Sequence, residues 1–143
     1  MKWKQIDQHP RSYVLIFNTG DELAKGLKSF AAEHSLADAS FKAIGALSSV
    51  RLAWFDPEKK KYRTSVDLKE QVELLSLIGD VAQHEGKPIV HAHAVVGRSD
   101  GATAGGHLLE AVVQPTYEVF LTESPVHLSK ALDPESGLVL IKL

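Results

Sequence analysis

Hydrophobic and polar positions along this chain follow two periods, and the change between them marks out its elements. Ser12-Tyr13-Val14-Leu15-Ile16-Phe17 is apolar on both faces of an extended segment and predicts a central strand, stopped by Asn18-Thr19-Gly20. The period then lengthens: Leu23, Leu27, Phe30 and Ala31 fall on one stripe of a helix from about Asp21 to Glu33. Thr19 and Glu22 have the spacing of a capping box at its start. From Phe41 to Phe55 the pattern is a strand again, with Gly45 predicting a bend or bulge. There Ser49, Arg51 and Ala53 share one face, and Val50, Leu52 and Trp54 the other. Asp56-Pro57-Glu58-Lys59-Lys60-Lys61 predicts a hairpin tip from which Tyr62 to Val66 returns. Gln71 to Ile78 is a further strand in which Leu74, Leu75, Leu77 and Ile78 leave neither face clearly wet. Val112 to Leu121 and Leu138 to Leu143 predict later strands, separated by Pro115 and the connection from Pro125 to Gly137.

The segment Pro88-Ile89-Val90-His91-Ala92-His93-Ala94-Val95-Val96 organises the rest. As a strand it places Val90, Ala92, Ala94 and Val96 on a small, wholly apolar face suited to the helix. His91 and His93 fall on the other face with Ile89 and Val95. Imidazoles side by side at a buried strand need partners for their ring nitrogens. A third histidine, His107, follows Gly105-Gly106, a pair that lets backbone approach closely. Three such histidines fit an open metal site with three protein ligands and a free fourth position. The alternative is a set of histidines satisfied by backbone carbonyls and water. Zinc is the first candidate ion, with copper, nickel or iron also compatible with imidazole donors.

Composition narrows the class without naming a substrate. The 143 residues make one domain, with 44% apolar and 24% charged residues and no repeat or linker. No apolar run approaches the ~20 residues of a membrane span. Met1-Lys2-Trp3-Lys4-Gln5 lacks the apolar core of a signal peptide, so a cytoplasmic location is expected. With no cysteine there is neither a disulfide nor a thiolate ligand. A formal net charge of -2 gives the whole domain no strong attraction to phosphate backbones. Several strands are apolar on both faces while one helix is available to cover them, which predicts a homo-oligomer.

Phe41-Lys42-Ala43-Ile44-Gly45-Ala46-Leu47-Ser48-Ser49-Val50, Val72-Glu73-Leu74-Leu75-Ser76-Leu77-Ile78-Gly79 and Gly105-Gly106-His107-Leu108, in this order, resemble the PPC (plants-and-prokaryotes-conserved) domain family over nearly the whole chain. The resemblance implies an α/β (α+β) fold with a mostly antiparallel sheet of about seven strands and one main helix, assembled as a homotrimer. It also implies two functional stories. Plant members of the family carry AT-hook segments in nuclear proteins, and prokaryotic members are often regarded as DNA-binding. No Arg-Gly-Arg-Pro core of an AT-hook occurs here, and this chain is similar to the prokaryotic branch that carries the His-x-His pair with Gly-Gly-His.

Among acidic residues, Glu73 alternates against apolar neighbours and is the candidate catalytic general base or supporting carboxylate of the centre; pairing with Arg51 across neighbouring strands is the competing role. Asp100 and Glu110 read as solvated. Gly97-Arg98-Ser99-Asp100-Gly101 reads as a turn, because no Gly-Lys-Ser/Thr ending follows to make a phosphate loop. Lys59-Lys60-Lys61-Tyr62-Arg63 is the one concentrated basic patch, a solvated tip before it is a DNA contact. His9, His34, His84 and His127 are scattered. Two functions remain: a homotrimer with a zinc centre of His91, His93 and His107 supporting hydrolysis or hydration, or a non-enzymatic regulator acting through trimerisation and partner binding near DNA.

Overall fold

The computed structural model describes residues 1–142, so the final residue of the strand expected over Leu138 to Leu143 lies outside the described residues. Among the described residues, nine strands and one helix form an α+β domain: β1 (Lys2–Gln8), β2 (Arg11–Asn18), α1 (Leu23–Glu33), β3 (Ala39–Asp56), β4 (Lys61–Leu68), β5 (Val72–His84), β6 (Lys87–Gly97), β7 (Thr103–Glu123), β8 (Ser129–Leu132) and β9 (Val139–Lys142). All strands belong to one sheet and pair antiparallel, except for a single parallel register pair between β5 and β8. No described helix is long and apolar enough to cross a membrane.

Two long strands set the topology. β3 pairs with β7 along most of its length, with β5 at its N-terminal half and with β4 at its C-terminal half. β6 pairs with β5 on one side and with the start of β7 on the other, so β3, β5, β6 and β7 close into a ring. Helix α1 packs on β6, β7 and β5, with Leu23, Leu27, Phe30 and Ala31 buried as the stripe predicts. Ala92, Ala94 and Val96 are buried beneath it, and Val90 packs at the margin of the same core. The expected bulge at Gly45 is present: register shifts on both sides of it, and an added Cβ would lie 2.5 Å from the Thr116 carbonyl.

Several local expectations need correction. The polar N-terminal stretch is a strand, β1, because its alternation lets it cover the edge of β2 with Trp3 against Tyr13 and Phe30. β2 is therefore second from the edge rather than central. The helix is not capped by Thr19. Glu22 is the N-cap and accepts from the backbone N–H of Ala24 and Lys25, while Thr19 donates its hydroxyl to the Pro115 carbonyl. Pro115 does not break β7, and the connection after Pro125 contains the short strand β8, so the sheet has nine strands rather than about seven.

Candidate metal centre

The register of the ring positions the histidines. β5 and β6 are joined through Glu85 and Gly86, both at positive φ (50° and 74°), as a two-residue hairpin requires. Counting back from that turn sets Asp80 opposite His91 and Ile78 opposite His93. On the far side of β6, His93 stands opposite His107 of β7. Directly opposed residues share a face, so Asp80, His91, His93 and His107 all lie on the outer side of the sheet, away from α1. Ring centroids are 5.2 Å apart for His91 and His93, 5.2 Å for His91 and His107, and 5.5 Å for His93 and His107. One ring nitrogen from each histidine can be chosen so that all three lie within 4.8 Å of one another. Gly106 makes this approach sterically feasible, because an added Cβ there would lie 2.7 Å from the Ala53 carbonyl of β3.

The local environment favours the neutral form of two of the rings, His93 and His107. Burial first, then the neighbouring His91 and His93, push the His107 imidazole down to about 4. His93 is lowered by burial and by His91. The Nδ1 of His107 is buried without a hydrogen-bond partner, an arrangement that costs free energy unless something accepts or supplies an interaction there. Tyr62 of β4 stacks flat on the His107 ring, with centroids 3.9 Å apart and planes inclined by 17°. Asp80 approaches His91 with its Oδ2 3.6 Å from Nδ1, and its Oδ1 is ion-paired with the ammonium of the buried Lys130. Burial would raise the Asp80 carboxyl, but His91 and Lys130 together hold it below its ordinary value. Asp80, His91 and His93 line an open depression of about 470 Å³ with Ser40, Phe41, Ile78, Gly79 and Ala92.

The acidic residue expected at the centre is elsewhere. Glu73 is exposed and stands opposite Gly97, four residues along β6 from His93, or about 13 Å at strand rise. It cannot serve as a base there, and it does not pair with Arg51, whose partner is Glu110 at 3.5 Å. The carboxylate beside the histidines is Asp80. The strand expected from the sequence ends at Ile78, two residues short of Asp80, whereas β5 runs on to the Glu85-Gly86 turn that counts Asp80 opposite His91. The hairpin pattern places Tyr62 only on the returning strand; its contact with His107 depends on the β3–β7 pairing and has no local signal in the sequence. Asp100, in the predicted turn, accepts from the N–H of Ala102 just beyond it. In the basic patch, Lys59 pairs with Asp56, Lys60 donates to the Pro134 carbonyl and Arg63 lies over the Trp54 ring.

With this geometry in hand, comparisons place the chain among known proteins. A crystal structure of a candidate DNA-binding protein from Bacteroides thetaiotaomicron is similar with a TM-score of 0.91 and 28% identity, covering 99% of this chain and 96% of that one. A metal-containing protein from Archaeoglobus fulgidus is similar with a TM-score of 0.86 and 32% identity, covering 99% of this chain and 97% of that one. Among curated proteins, the bifunctional protein GlmU of a Synechococcus strain is 32% identical over 130 residues, and the chain spans 20% of its length. Residues 5–125 match the Plants and Prokaryotes Conserved (PCC) domain, and the chain belongs to that family.

Proposed function

We propose that this chain is a metal-binding PPC-domain protein in which His91, His93 and His107 hold a zinc ion in an open site. The observation that carries this is the convergence of three imidazoles from two paired strands, with ligand atoms within 4.8 Å of one another. A tetrahedral zinc shell with bonds of about 2.0–2.1 Å sets nitrogens roughly 3.3 Å apart, so modest side-chain rotation closes the set. The residues fit the ion in two further ways. The depressed basicity of His107 and His93 presents the unprotonated form that ligates. The unpartnered Nδ1 of His107 is a buried ring nitrogen whose missing interaction an ion can supply. The similarity to a metal-containing protein supports the same reading.

When bound, such an ion supplies a water of lowered pKa and a Lewis acid, the chemistry of hydrolysis or hydration of a small substrate. The chain's own residues shape the entrance: Phe41 and Ile78 form its apolar wall, beside Ser40, and Tyr62 backs the His107 ring. We also propose a homotrimer that buries the outer sheet face. Ile44, Leu75, Ile78, Val95 and Phe120 are exposed there, at 58%, 52%, 63%, 42% and 42%. A contiguous apolar surface of this kind marks association, and the histidines lie at its margin.

Elemental analysis of untagged protein purified without added metal tests the centre. The expected result is about one zinc per chain, and His93→Ala should abolish it while leaving the fold intact, because Ala suits a strand of small residues. Wild-type protein that carries no metal and takes up none at micromolar zinc refutes the reading. Similarity to a candidate DNA-binding protein supports a second reading, a regulator acting near DNA. A labelled duplex shifted at 150 mM salt would favour it, and absence of binding at 50 mM would exclude it.

A further inference from the structure

Asp80 divides its two oxygens between different partners. Oδ1 meets the ammonium of Lys130, whose side chain is 2% exposed, and Oδ2 faces Nδ1 of His91 at 3.6 Å. Lys130 reaches this point because β8 lies beside the end of β5, and its backbone is tied there by a 3.0 Å hydrogen bond between its carbonyl and Nδ1 of His84. A buried ammonium is costly unless it is paired, so the Lys130–Asp80 contact holds the carboxylate in place. His91 thus has a carboxylate on its Nδ1 side.

We propose that Asp80 is the positioning residue of the histidine centre. Anchored through Lys130, it holds the Nδ1–H of His91 and turns the Nε2 lone pair toward the ion. The inference rests on the metal reading for its effect on affinity, but its effect on the His91 ring exists without any ion. Carboxylates that hold the second nitrogen of a ligating histidine typically change metal affinity about 10–100-fold when removed.

The test uses the full chain, wild type against Asp80→Ala, with two readouts. Competition with a zinc chelator should show about 10–100-fold weaker binding in the variant. Nitrogen-15 correlation spectra of the metal-free proteins should show His91 as the Nδ1–H tautomer in the wild type and a change of tautomer in the variant. A merely structural role for Asp80 would not move that signature. Because Asp80→Ala strands a buried lysine, Asp80→Ala/Lys130→Met is examined as well; it removes both charges and should reproduce the affinity loss and the tautomer change in a folded protein. Affinity within about twofold of wild type in the double variant, or an unchanged His91 tautomer, overturns the proposal. If the wild type binds no zinc, the metal reading fails on its own, and the tautomer readout still decides whether Asp80 sets the ring.

Discussion

Acid should destabilise the metal-free protein through His107, and the size of the effect follows from its burial. An unfolded histidine titrates near 6.5, whereas in the folded chain burial and the neighbouring rings hold His107 at about 4. The unfolded state therefore binds this proton first. Between those two values the unfolded chain carries more protons than the native one, so stability falls as pH falls. With 1.36 kcal/mol per pH unit, the whole interval corresponds to about 3 kcal/mol, and about 2.4 kcal/mol of it is lost between pH 7 and pH 4.5. His107→Gln removes the titration while keeping a planar polar group against Tyr62. Urea unfolding of both proteins in chelator, at fixed protein concentration, isolates the difference, because the lowered carboxylates of Asp21, Asp80 and Glu123 titrate in both. The wild type should lose about 2 kcal/mol more than the variant over that range. Equal losses, to within about 0.5 kcal/mol, would refute the assignment of a buried neutral ring.

Other outcomes follow from single contacts. Gly106→Ala should cost about 1–3 kcal/mol in chemical denaturation and weaken zinc uptake, because its Cβ would meet the Ala53 carbonyl at 2.7 Å and push His107 away from β6. Glu22→Ala should destabilise by about 0.5–2 kcal/mol while Thr19→Ala leaves the helix N-terminus unchanged; the reverse order would restore the capping box. Ile78→Asp, at a side chain 63% exposed in the single chain, should hardly alter the protomer but should convert the assembly to single chains of 15.6 kDa by light scattering. Wild type that already scatters as one chain removes the trimer.

What could be read from the sequence depended on whether the controlling interaction was local. The α1 stripe, the apolar face of β6 and the shared face of His91 and His93 are properties of short segments, and each is found as its period requires. That His107 joins them was suggested by Gly105-Gly106, and the structure shows why: β7 lies against β3 where only a glycine fits. Glu73 stands out by its alternation, a signal that gives a face but not a position along the strand. Its distance from His93 is set by the turn at Glu85-Gly86, and that turn selects Asp80 instead. Lys130 and Tyr62 belong to strands that meet the site through non-local pairing, which no period within their own segments encodes.

The centre and the closure of the sheet are parts of one arrangement. β7 runs for 21 residues and pairs with β2 at one end and β6 at the other, with β3 alongside. Along it the β3–β7 pairing is interrupted by register shifts around Gly45 and between Leu47 and Leu52, irregularities that let paired strands change direction. At the start of β7 the Gly105–His107 segment pairs with β6, which sets His107 opposite His93 across the β6–β7 seam. An ion held across that seam would tie β6 to β7 at the point where the ring closes. Binding only the native arrangement, zinc at about 100 times its dissociation constant should stabilise the fold by about 2.7 kcal/mol. That stabilisation should vanish in His93→Ala, because the two remaining rings both stay on their strands but no longer bridge the seam through three donors. A thermal shift with zinc of the same size in His93→Ala as in the wild type would place the ion somewhere other than this seam.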